Sequence, residues 1–257
     1  MTRLTTTVSL CAALAMPVAA LAQPDDELDR LAFVEAQAGY GLQLGLTQYV
    51  PDGEPGQFKH PLTNGFVVGG TAGLFLTDSL SAIATYEFAR ARSRSGEITG
   101  VVDDISGKIS YHSALAGVRM DRSFGPGRIL GQLGLGAVFP FETELEYEYG
   151  EALAPAGITG EGTLVSDYNV AYGGRATFGF QLPIAEGIYF GNHVTLEAFQ
   201  SSNNNREAQL ENFVEDFTAE PPEAVDAVIE YDSDGGAQPN TYPVSSARIQ
   251  LVLGYEF

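Results

Sequence analysis

Residues 249–257 (IQLVLGYEF) alternate apolar and polar side chains and end on a phenylalanine at the final position of the chain. Ile249, Leu251, Leu253, Tyr255 and Phe257 fall on one face, and Gln250, Val252, Gly254 and Glu256 on the other, because successive strand side chains point to opposite sides. A soluble protein rarely leaves such an amphipathic edge unpaired. If the sheet closes on itself, this strand pairs with the first one and no edge remains. The start of the chain carries the matching pattern. Over residues 34–46 the even positions (Val34, Ala36, Ala38, Tyr40, Leu42, Leu44, Leu46) are apolar or aromatic, and the odd ones (Glu35, Gln37, Gly39, Gly41, Gln43, Gly45) are polar or glycine. This stretch is longer than the usual strand of about 5–6 residues. It suits a tilted strand crossing a bilayer, which needs about 9–11 residues.

Residues 1–22 read as a secretory signal, with Arg3 in a basic n-region, an apolar stretch over 8–21 and Ala20-Leu21-Ala22 as the cleavage site. Cleavage near Ala22 leaves about 235 residues, which fit one domain over 23–257. The single cysteine, Cys11, lies in the signal, so the mature chain is expected to hold no disulfide and no cysteine ligand. Val8-Ser9-Leu10 before it is a poor lipobox. Beyond the signal there is no run of about 18 apolar residues, so any membrane crossing falls to strands. The 30 Gly, 15 Phe and 12 Tyr suit thin-walled strands with aromatic girdles, and the absence of Trp leaves those girdles to Tyr and Phe. A formal charge of -20 argues against nucleic acid. It is compatible with a Gram-negative outer face, where divalent cations lie among lipid phosphates.

Seven further strands are expected at about 66–76, 80–90, 109–120, 129–149, 164–180, 188–200 and 244–257. Short connections at 77–79, 121–128 and 181–187 carry turn residues and alternate with long ones at about 50–65, 91–108, 150–163 and 201–243. This rhythm predicts an all-β fold: an eight-stranded antiparallel up-and-down transmembrane β-barrel with short periplasmic turns and long extracellular loops. In 109–120 the phase that turns Ala114, Ala116, Val118 and Met120 outward leaves Arg119 inside. In 129–149, Leu133, Leu135, Ala137, Phe139 and Phe141 share one face. Beyond them Leu145, Tyr147 and Tyr149 oppose Glu142, Glu144, Glu146 and Glu148, in a hairpin expected to project above the membrane, with Pro140 marking a bulge. A ten-stranded alternative needs a hairpin hidden near 225–231.

The signal, the strand rhythm and the ending Gly254-Tyr255-Glu256-Phe257 together resemble the small OmpA-like or OmpX-like outer-membrane barrels, often called porin-like opacity proteins. The resemblance covers nearly the whole mature chain and implies the outer membrane of a Gram-negative bacterium. It also implies that Gly254, Tyr255 and Phe257 form the signal read by the barrel assembly machinery. Outer-membrane lipid and lipopolysaccharide are then the expected surroundings. Unlike two-domain OmpA proteins, the chain stops at the barrel, so a peptidoglycan-binding domain is not expected.

The proposed lumen side carries Glu35, Glu87, Arg119, Asp167, Arg175, His193, Glu197 and Arg248, with Glu256 at one end. An eight-stranded barrel is narrow enough for side chains to fill, so these charges must pair or be hydrated. Glu197 and Arg248 are the best candidate pair. A polar plug is expected, with a small-solute or ion pathway as the alternative. No catalytic residues are assigned. His112 and Ser113 are neighbours and point to opposite faces, His60 reads as a loop residue, and His193 reads as a lumen hydrogen-bonding group. A lipid-modifying enzyme is the third reading, and a soluble lipocalin-like barrel would have its apolar face inward. No cofactor or metal is expected: Asp232, Asp234 and Gly235 only faintly suggest a calcium loop, since the later ligands are missing. Residues 141–163 hold six acidic and no basic residues, and 201–243 hold ten acidic residues and Arg206. These segments read as a solvated acidic rim, open to an extracellular ligand of unknown identity.

Overall fold

The computed structural model describes residues 30–43, 48–49, 58–59, 63–95, 102–201, 205–214, 219–230 and 243–257. The signal assigned to 1–22, Leu44, Leu46, His60 and the Asp232-to-Gly235 stretch lie outside the described residues.

Eight strands close into a ring. They are β1 (Ala32–Gln43), β4 (Thr63–Thr77), β5 (Leu80–Ser95), β6 (Val102–Phe124), β7 (Gly127–Val138), β10 (Ala171–Ala185), β11 (Ile188–Ser201) and β14 (Pro243–Glu256). Each pairs antiparallel with the next, and β14 pairs back onto β1 from Phe33 opposite Glu256 to Gln43 opposite Ser246. The terminal strand therefore has hydrogen-bonded neighbours on both sides. The fold is an eight-stranded antiparallel up-and-down barrel, and the edge problem posed by the last strand is removed by closure. A two-stranded ribbon, β2 (Gln48–Tyr49) with β3 (Phe58–Lys59), lies between β1 and β4 in sequence.

One end of the barrel is built from two-residue turns at Asp78-Ser79, Gly125-Pro126 and Glu186-Gly187. Gly125 and Gly187 have φ of 58° and 69°, a region that costs a residue with a Cβ. Two expected connections shrink here. The segments 121–128 and 181–187 are mostly strand, because β6 runs on to Phe124 and β10 to Ala185. Asp121 consequently becomes a buried strand residue rather than part of a turn.

The opposite end is taller on one side. The upper half of β6 pairs with β8 (Phe141–Tyr149), β8 with β9 (Glu161–Tyr168), β9 with β12 (Asn205–Val214) and β12 with β13 (Ala224–Glu230). These strands raise the barrel wall well past the ring. Much of what reads as long loop in sequence is therefore strand. The hairpin near 225–231 exists, but it joins this wall and leaves the barrel at eight strands. A 3-10 turn at Glu151–Ala156 connects β8 to β9 and ends on Gly157 at φ 83°.

Two interruptions decide which way the wall's side chains point. Between the pairs Ser113–Val138 and Ser110–Glu142, two residues of β6 face three of the neighbouring chain, Phe139 to Phe141. This is the extra residue of a β-bulge, centred on Pro140, which has no N–H to give the ladder. It flips the phase: Val138 is buried, Phe139 and Pro140 are exposed, and Phe141 is buried again. Phe141 thus faces inward, not toward lipid. The break at Asn169-Val170 does the same between β9 and β10. Asp167 and Arg175 have the same parity in sequence yet lie on opposite faces, with Arg175 buried in the lumen and Asp167 on the outer side of the wall opposite Glu142. Asp167 is therefore not a lumen residue.

Around the ring the outward face is apolar and the inward face polar. Leu135 is 75% exposed and Ile249 65%, while Glu35, Glu87, Arg119 and Glu197 are buried. In water this inversion would leave a large apolar surface exposed and bury charges at great cost. A closed barrel with a lipid-facing belt is the arrangement in which both faces are satisfied. No helix among the described residues is long and apolar enough to cross a membrane.

Candidate functional site

Period-two alternation delivers a charged side chain to the lumen from six of the eight ring strands, and these gather at two heights. Near the turn end, Arg119 on β6 is wholly buried. Its Nη1 donates to Glu35 Oε1 at 2.6 Å and its Nη2 to Gln181 Oε1 at 2.7 Å. Glu35 Oε1 also accepts from Gln181 Nε2 at 2.8 Å and from the Tyr189 hydroxyl at 2.9 Å. The Tyr189 ring reaches Glu35 over Gly254, where a Cβ would collide with it. The Arg119 guanidinium lies 4.4 Å from the Phe33 ring centroid, and Phe33 packs with Phe75 and Ile83. Below them Arg30 contacts Asp121 at 3.2 Å and Glu256 at 3.4 Å, and Arg128 also bonds Glu256.

Midway up, two arginines and two glutamates form a closed ring of ion pairs. Arg248 bonds Glu87 at 2.9 Å and also bonds Glu197, while Arg175 bonds Glu197 at 2.8 Å and also bonds Glu87. Tyr111 donates its hydroxyl hydrogen to Glu197 at 3.0 Å and accepts from Arg248 at 2.6 Å. Ser246 donates to Glu197 at 2.9 Å. The formal charges cancel, and each carboxylate has several donors, which is the condition under which buried ions are tolerated. Glu197 and Arg248 sit on adjacent strands two positions out of direct register, since Glu197 opposes Ser246 and Thr195 opposes Arg248.

A neutral layer joins the two clusters. Gln250 donates to Glu87 at 2.8 Å and to Gln37 at 3.4 Å, and Gln37 donates to Glu35 at 3.3 Å and Thr71 at 2.7 Å. His193 faces the same layer at 1% exposure, and neither of its ring nitrogens bonds another described group. Above the ion ring the lumen turns apolar: Val67, Ile109, Phe141, Tyr168, Phe199 and Val244 pack across it in one cluster with Tyr111. Voids beside the ion ring, against Tyr111 and Arg248 and against Gln132 and Arg175, measure about 10 Å³ each. Such a space admits one water at most.

No protein-family model matches this chain, and no curated protein sequence matches it. Among solved structures, it is similar to the Neisserial surface protein A, at 11% identity and a TM-score of 0.42 over 88% of this chain and 97% of that one. It is also similar to the outer membrane protein OprG of Pseudomonas aeruginosa, at 13% identity and a TM-score of 0.47 over 89% and 97%. The outer membrane protein AlkL in DMPC bilayers gives 12% identity and a TM-score of 0.43 over 92% and 94%.

Seven of the eight sequence-assigned lumen residues thus lie inside the barrel, and Asp167 lies outside it. Sequence reasoning missed Tyr111, Asp121, Gln181 and Tyr189, whose parity places them inward but whose partners are 62 to 154 residues away. It also assigned no role to Arg30, which precedes the first strand. His112 and Ser113 face opposite sides: His112 is on the outer surface, where its Nδ1 lies 2.8 Å from the Tyr86 hydroxyl, and Ser113 is buried.

The wall's outer face is acidic. Lys108 on β6 bonds Glu144 at 3.0 Å and also Glu146. The hydrogen bond to Lys108 holds the Glu146 carboxyl below its ordinary 4.5, and the bond from Glu146 first, then that from Glu144, raises the Lys108 ammonium above its ordinary 10.5. The lowered carboxylate contributes stability that is present above pH 4.5 and lost as pH falls through the folded value. The raised ammonium contributes stability that is present below pH 10.5 and lost only above it. Amide protection in β8, taken relative to the intrinsic exchange rate at each pH, is therefore expected to be steady through neutral pH and to fall below about pH 4.5, with the change diminished in high salt. Protection that is indifferent to acid would show that the pair does not hold β8 to β6.

Proposed function

We propose that the chain is a non-enzymatic β-barrel of the Gram-negative outer membrane, with a structural or surface-interaction role. Its turns and chain ends lie in the periplasm and its tall acidic wall lies outside the cell. The observation supporting this reading is the filled lumen, in which a charge-balanced ion ring is overlain by packed apolar side chains. A pathway for ions needs continuous water, and the two voids beside the ion ring, at about 10 Å³ each, hold no more than one water apiece.

Single-channel recording in planar bilayers is expected to give no reproducible openings. Steady unitary steps would replace this reading with that of a small porin. Lipid A mass spectra from cells with and without the gene are expected to be identical.

The lipid-facing Tyr255 and Phe257 at the periplasmic rim are read here as the recognition element for the assembly machinery. They pack edge to face with centroids 5.0 Å apart, and both remain exposed. Removing Phe257 is expected to lower the amount of heat-modifiable barrel in cells while leaving refolding of the purified chain intact. Unchanged cellular levels would remove that role.

A further inference from the structure

The lipid-facing side of β5 changes chemistry abruptly. Ala82, Ala84, Tyr86 and Phe88 give way to Arg90 and Arg92, both exposed. Arg90 is the eleventh residue of the strand, the point at which a tilted strand of about 9–11 residues has crossed the hydrocarbon. The neighbouring strands change at the same height. Phe66 of β4 lies directly opposite Arg90, and its ring is 6.1 Å from that of Phe88, which in turn is 4.9 Å from the His112 ring on β6. An aromatic girdle therefore stands just beneath two guanidinium groups. Neither Arg90 nor Arg92 forms an ion pair with another described residue, whereas Lys108, paired with Arg92 across β5 and β6, has its charge taken up by Glu144 and Glu146.

This patch is cationic on a protein of formal charge -20. A soluble polyanion would have to approach through the field of the acidic wall. A phosphate already held in the membrane leaflet does not. Arginine is suited to it, since the planar guanidinium can bond phosphate oxygens in pairs. We propose that Arg90 and Arg92 form an interfacial site for a phosphate group of an outer-leaflet glycolipid, whose acyl chains lie against Phe66, Tyr86 and Phe88. This rests on the outer-membrane reading above and adds the lipid contact and its location.

The test uses the full mature barrel in neutral detergent, titrated with bis-phosphorylated lipid A and with dephosphorylated lipid A and read by native mass spectrometry. The unaltered protein is expected to bind the phosphorylated form about tenfold more tightly, the size of effect that charge-assisted hydrogen bonds supply. Arg90→Gln/Arg92→Gln is expected to abolish that preference, Arg90→Lys/Arg92→Lys to keep part of it, and Arg122→Gln at the turn end to keep all of it. Equal affinity of the unaltered protein for the two lipids, or a preference that survives in Arg90→Gln/Arg92→Gln, would overturn the site. Displacement of the lipid by equimolar inorganic phosphate would show a soluble-anion site and overturn the lipid assignment. Heat-modifiable mobility reports the fold of every variant. Its absence in the unaltered protein would count against the barrel reading itself and not against this site.

Discussion

Replacing Arg248 with leucine is expected to cost the folded barrel about 3–5 kcal/mol, the range for leaving a buried ion without its partner. Arg248 bonds Glu87, Glu197, Tyr111 and Ser246 together. Without it, two buried carboxylates would share the single Arg175 guanidinium, and the lumen would carry an uncompensated negative charge. Leucine fills the space but cannot neutralise that charge. Adding Glu197→Gln to Arg248→Leu restores the charge balance, so the double variant is expected to be more stable than the sum of the two single losses implies. The chain has no Trp, so urea titrations in lipid vesicles are best followed by the gel mobility of the folded form. A loss under about 1 kcal/mol for Arg248→Leu, with additive behaviour of the pair, would mean that water enters and screens the cluster. The filled-lumen reading would then fall with it.

Three residues further along β14 the expected penalty has a different origin. Leu251 is 57% exposed on the outer face, near mid-height between the turn end and the girdle. Leu251→Arg is expected to destabilise the barrel by about 2–4 kcal/mol, as for arginine at the bilayer midplane, whereas Tyr255→Arg at the rim is expected to cost only about 0–1 kcal/mol. The difference arises because a rim guanidinium reaches the headgroup water and one at mid-height must drag water in with it. Refolding into vesicles of defined thickness measures both. Equal costs at the two positions would show that the apolar belt does not coincide with the hydrocarbon. In detergent the gradient is expected to shrink.

Adjacent residues of this strand also show how far local pattern reaches. Gln250 and Leu251 were separable by parity alone, as were Glu35 from Val34 and Arg119 from Val118. In those strands the alternation is unbroken, so a residue's number carries its side. The same rule failed at Phe141 and Asp167. Each follows or precedes a two-residue interruption, at Phe139-Pro140 and Asn169-Val170, that shifts the phase by one. Pro140 signals such a bulge, but whether a bulge flips the following strand or merely bends it depends on what the neighbouring strand offers opposite. The extra residue is visible only because Ser110 and Ser113 of β6 fix both sides of it.

The wall was hidden for a related reason. Residues 205–214 and 224–230 are rich in acidic side chains and poor in clean alternation, so they read as loop. They become strands because β9 presents an unpaired edge for β12 to join, which is a contact between distant parts of the chain. The lumen partners follow the same logic. Tyr111 and Glu197 are 86 residues apart and Glu35 and Tyr189 are 154 apart, and only the strand order and stagger of the closed ring bring them within bonding distance.

The sequence by itself determined that this chain would make a barrel, which of its faces would meet lipid along unbroken strands, and that its first and last strands would pair. Those properties depend on a period of two that each strand carries within itself. The tertiary structure decided the pairing inside the lumen, the apolar closure above it and the height of the acidic wall. Those depend on register and bulges, which are set between strands and not within them.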